Sequence, residues 1–99
     1  MIFHITTNSC WQKWNENVYF ESPTLENDGF LHCCTNEQLD YVLKEYFLGQ
    51  KDIIVLQIDE KLLEPELLYE LSDGDQYFPH IYGKLNKNSI VNINNLTDN

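Results

Sequence analysis

The chain has 99 residues, 42% of them hydrophobic and 13% aromatic, with a formal net charge of −10. That length makes one domain with a modest core, and the aromatic content argues against disorder. Its 16 carboxylates and six basic side chains, all lysine, argue against a long nucleic-acid partner and against an anionic membrane surface.

Taken in chain order, Ile2 to Thr6 alternates large apolar and polar groups and reads as a first strand. The start "MIFHITTNSC" lacks a basic n-region and does not read as a signal peptide, and no apolar run approaches the ~20 residues that cross a bilayer. "TTNS" is rich in helix N-cap residues, and Trp11, Trp14 and Val18 recur at helical spacing, which predicts a helix from about Ser9 to Asn17. "ESPTLENDG" reads as a polar loop. Phe30 to Cys33 reads as a short second strand. "TNEQ" from Thr35 fits a capping box, and Leu39, Val42, Leu43, Tyr46 and Phe47 then share one helical face up to Gly49. The β-branched run of Asp52–Asp59 predicts a strand at the centre of a sheet, covered on both faces. "EKLLEP" is one helical turn, "LLYEL" a strand and "SDGD" a turn. "FPHIYG" is extended and is placed at an edge, because Pro79 has no N–H for a ladder. Ser89 to Ile93 is the last strand. The prediction is a single α+β domain over residues 1–94, with two helices in the N-terminal half and a frayed tail over 95–99.

The cysteines, Cys10, Cys33 and Cys34, are odd in number and show no framework spacing, which points to free thiols in a reducing, cytoplasmic setting. Nothing has the spacing of a metal motif, so no metal is expected. The three histidines, His4, His32 and His80, each sit in a short strand-like run. His4 and Thr6 share a strand face. Either His4 aims into a cleft or it is a core histidine bonded to a backbone carbonyl. His32 ends a strand just before the helix opened by Thr35, whose unpaired N–H groups suit an anion. Cys33 and Cys34 there are either a nucleophile or small buried filler. His80 and Tyr82 share a face and either sandwich a planar ligand or form an ordinary aromatic cluster. Glu70 interrupts an apolar strand and faces either a cleft or solvent.

"IFHIT", the Trp helix, "ESPTLENDGFLHCCTNEQL", "DIIVLQID" and "YFPHIYGKL" together resemble the DUF952 family of small proteins, in order and over nearly the whole chain. The resemblance implies an ADP-ribosyltransferase-like fold, a split β-sheet whose cleft holds NAD in active relatives. A fainter likeness to RNA 2′-phosphotransferases matches His4-Ile5-Thr6 to an "HGT" strand and His32-Cys33-Cys34 to an "HLS" strand end. On that likeness His4 and Thr6 contact NAD as substrate and His32 lines the same cleft; the reading of the residues adds Thr35, His80 and Tyr82 as candidate cofactor contacts and Glu70, with His32, as a candidate for the chemistry at the nicotinamide-bearing ribose. Ile5 stands where those relatives have glycine, and no arginine is present to clamp a diphosphate. The alternative is a small-ligand or protein-interaction module that keeps the cleft without turnover.

Overall fold

The computed structural model describes residues 1–96. Strand β1 (Ile2–Thr7) leads into helix α1 (Asn8–Gln12), whose N-terminus is capped where the Thr7 hydroxyl accepts from the Cys10 amide at 3.1 Å. The helix is shorter than the Trp spacing suggests. From Trp14 to Asn17 the backbone makes turns that bond three residues back, and Asn15 and Asn17 are poor helix formers. After β2 (Tyr19–Phe20) comes α2 (Pro23–Asp28), where the sequence suggested a loop. Its signals were nonetheless present: Ser22 precedes the first turn, Pro23 occupies the position that needs no N–H, and Gly29 ends the helix at φ 83°.

The expected strand from Phe30 to Cys33 is two strands in different sheets, β3 (Leu31–His32) and β4 (Cys34–Thr35). A 3₁₀ turn (Asn36–Gln38) opens α3 (Leu39–Tyr46), and the Gln38 side-chain oxygen Oε1 accepts from the Thr35 N–H at 3.0 Å, as the capping box requires. Among the described residues the α-helices therefore number three, not two, all within the N-terminal half. Next come β5 (Ile53–Ile58), a 3₁₀ turn at Glu60–Leu62, β6 (Glu66–Leu71), β7 (Tyr77–Tyr82), β8 (Leu85–Asn86) and β9 (Ile90–Leu96).

The strands form a four-stranded sheet in the order β4-β1-β5-β9, a three-stranded sheet β3-β7-β6 and a pair β2-β8, giving an α+β architecture. β5 is central as expected. Ile54, Leu56 and Ile58 join one buried cluster with Ile2, Phe20, Leu31, Cys33, Ile81 and Leu85, while Ile53 and Val55 join another with Ile5, Cys34 and Phe78. Leu39, Val42, Leu43 and Phe47 close the second cluster with the apolar face of α3 and its C-terminus. β9 does not stop at Ile93: Asn95 and Leu96 still pair with Ile54 and Ile53, so that part of the expected tail is strand. The remaining tail residues, 97–99, lie outside the described residues.

β7 is the middle strand of its sheet, not an edge. Pro79 is tolerated there because its neighbour runs out. The Pro79 carbonyl accepts from the Cys33 N–H at 3.0 Å, on the side where β3 has already ended at His32. In a strand the nitrogen faces the same side as its carbonyl, so the missing donor falls where the partner chain departs for β4. Among the described residues no helix is long and apolar enough to cross a membrane.

Candidate functional site

That departure gathers the histidines. His32 and His80 lie directly opposite each other in the β3–β7 register, with ring centroids 5.6 Å apart and edge-on. By Cys34 the chain has left β7 and joined β1, so the backbone at His32 lies close to the passage between the two sheets. There its carbonyl accepts a 2.6 Å hydrogen bond from His4 Nδ1 on β1. All three histidines line one cavity of about 320 Å³. Phe3, Phe47 and Phe78 supply apolar walls, and Thr24 and Ser72 add hydroxyl-bearing residues.

His4 is 3% exposed and His80 4%, and the Nε2 of each has no hydrogen-bond partner. Each ring is fixed through its other nitrogen. The His32 carbonyl holds His4, and Glu70 Oε1 accepts from His80 Nδ1 at 2.8 Å. The Tyr82 hydroxyl donates to the same Glu70 oxygen. Burial pushes the His4 pKa down from 6.5 to about 4, so the ring is neutral at pH 7. The Tyr82 and His80 hydrogen bonds hold the Glu70 carboxyl below its ordinary range, and the Glu70 bond raises the Tyr82 phenol.

The other residues singled out from sequence are placed less uniformly. The His32 ring is half exposed at the rim, with Nε2 2.8 Å from Asp28 Oδ2. Its closest service to the site is through its backbone. Glu70, Tyr82, Thr6 and Thr35 do not line the cavity. Glu70 and Tyr82 reach it only by way of His80. Thr6 is buried, and the Thr35 N–H is already spent on Gln38. Of the two readings of His80 and Tyr82, the aromatic cluster is the one seen: Phe30 stacks on His80 at 4.0 Å and 26° and also touches the His32 and Tyr82 rings. Phe30 was legible in retrospect: it lies two residues before His32, and alternation puts both on one face.

Cys33 and Cys34 border the cavity, but burial raises the Cys33 thiol well above its ordinary range and pushes Cys34 up to about 12. Both are protonated at neutral pH, which removes the nucleophile and leaves small buried filler. None of the lysines borders the cavity. Among the described residues no cluster of three or more histidine, cysteine or carboxylate side chains is placed to hold a metal ion.

A family model described as "Protein of unknown function (DUF952)" matches residues 5–93. The fold is similar to that of protein CC0527 from Caulobacter crescentus. Its crystal structure is 28% identical, with a TM-score of 0.85 over 94% of this chain and 82% of that one. The solution structure of CC0527 is likewise 28% identical, with a TM-score of 0.82 over 97% and 84% of the two chains. No curated protein matches. With a family model matched along nearly its full length, from residue 5 to residue 93, the chain belongs to the DUF952 family.

Proposed function

We propose that the cavity is a small-molecule site and that it takes the nicotinamide–ribose end of NAD or of a related ADP-ribosyl compound. One observation carries the reading: two imidazoles, each about 96% buried, line the same hollow with an unpartnered ring nitrogen. Buried polar atoms are nearly always paired, so two unmatched nitrogens on residues that line one cavity support the reading of a ligand site. The volume suits a small planar group, and the phenylalanine walls suit its faces. The split between the β1 and β7 sheets is where an ADP-ribosyltransferase-like fold, as the sequence resemblance implies, would hold NAD. No lysine borders the hollow, so a diphosphate stays outside it.

A second reading, turnover at the nicotinamide-bearing ribose carbon, is favoured by the Glu70–His80 pair. A carboxylate that fixes one imidazole nitrogen leaves the other poised to accept a proton from an attacking hydroxyl or water.

Thermal-shift and calorimetric titrations with NAD, ADP-ribose and nicotinamide riboside test both. NAD or nicotinamide riboside should raise the melting temperature, and His4→Ala should abolish that rise while the circular dichroism stays folded. Absence of binding by all three ligands overturns the assignment. Chromatography of the same mixtures shows turnover as released nicotinamide, and binding without release leaves a non-catalytic module.

A further inference from the structure

An outer strand leaves half of its N–H and C=O groups without a neighbour, and proteins blunt such edges by keeping them short or by placing charge on them. Here β3 and β4 are two residues long, as are both strands of the β2–β8 pair. The outer strand β6 is six residues long and carries Glu66 and Glu70. Among the described residues β9 is the exception. It ends its sheet beyond β5 and runs for seven residues, Ile-Val-Asn-Ile-Asn-Asn-Leu, with no charge and no proline, in a chain that is 22% charged. Its residues from Val91 to Asn95 are all exposed, Val91 at 48% and Ile93 at 45%. A bulge at Val91 is followed by a regular ladder, in which Asn92 to Leu96 pair with Gln57 to Ile53.

The order of the side chains says which strand fits this edge. About Ile93 the sequence is nearly symmetric: Asn92 matches Asn94 and Ile90 matches Leu96, with Val91 and Asn95 the one unlike pair. Antiparallel pairing of the strand with itself, about a two-fold axis at Ile93, therefore sets isoleucine beside isoleucine and amide beside amide. In a chain of net charge −10 it brings no carboxylate opposite a carboxylate. Pairing of β6 with itself about Leu68 would set Glu66 against Glu70, a like-charge pair.

We propose that β9 is a dimerisation edge, on which the β9 of a second copy of this chain adds in antiparallel register about Ile93 and joins two four-stranded sheets into one. No β9 residue lines the cavity, so the pairing is independent of what the cavity holds.

Sedimentation equilibrium of the wild-type protein should give twice the 11.7 kDa mass of one chain. Added sodium chloride should favour the doubled form, because it screens the negative charge the two copies bring together. Ile93→Lys sets two ammonium groups across the axis from each other and should return the mass to that of one chain, with an unchanged circular dichroism spectrum. Asn94→Lys, on the opposite face of the strand, is the second variant and should do the same. Leu68→Lys on β6 should keep the doubled mass. In a mixture of ¹³C-labelled and unlabelled chains, cross-peaks between copies should link Ile93 to Ile93. A wild type that sediments as one chain at every concentration overturns the proposal, as does a doubled mass that survives both β9 lysines. Open-ended assembly, which two-fold pairing forbids, or cross-peaks between copies that leave out Ile93, would overturn it too.

Discussion

His4 is the residue on which most of the site depends, and its burial has a thermodynamic signature. The folded protein resists protonating a ring whose pKa is about 4, whereas the unfolded chain takes up a proton near the ordinary 6.5. In that interval the unfolded state binds more protons, so stability is fully present above pH 6.5 and falls as the pH drops towards 4. At pH 5 the loss from this one group is roughly 2 kcal/mol. Denaturant unfolding of wild type and His4→Gln at pH 7.5 and pH 5 reads it directly. The variant's fall between the two should be smaller by about that amount; equal falls would remove His4 as the cause. The alternating apolar and polar residues put His4 on a half-buried strand, whereas β1 is an inner strand buried on both faces. The sequence does not show which ring nitrogen is bonded, because that depends on a carbonyl 28 residues away that only the fold brings near.

At the level of elements, local chemistry was a good guide wherever a segment's partners did not matter. The Thr35 capping box, the α3 apolar face and the central β5 strand all form as their residues suggest. Two departures from expectation have different causes. In α2, the Ser-Pro and Gly signals were overridden by the polar look of the segment. In β7, Pro79 points to an edge by local chemistry, and the central position is open to it only because its neighbour is two residues long. Gly83, just after β7, shows the same dependence on context. It has φ 151°, and a Cβ there would sit 2.9 Å from the Pro65 Cβ, a rigid ring that cannot swing aside. Gly83→Ala should therefore cost about 1–3 kcal/mol, from backbone strain and overlap together. Chemical denaturation should show a lower midpoint with an unchanged slope, and an unaltered midpoint would contradict the geometry.

Across the whole molecule, charge and topology act separately. A net charge of −10 on 99 residues repels itself in the compact state. Few counter-charges relieve it: the ion pairs include exposed Lys84–Glu21 at 3.5 Å and the N-terminal amine with Glu60 at 2.7 Å. Added sodium chloride should therefore raise the melting temperature up to a few tenths molar, where the Debye length falls below roughly 6 Å, and then level off. A melting temperature indifferent to salt would show the carboxylates too dispersed to matter. The cavity itself was legible only as three histidines in three strand-like runs. Their convergence depends on the chain changing sheets between His32 and Cys34, which no local pattern encodes.

Cys33 and Cys34 sit at that change with their side chains in opposite clusters, one 6% and the other 1% exposed. The dipeptide works like a rivet through two plates. Twisting it about its own axis would tug both layers at once, so the opening angle between them, and hence the width of the cavity mouth, is pinned by two of the smallest apolar side chains available. A bulkier residue at either position would act as a wedge.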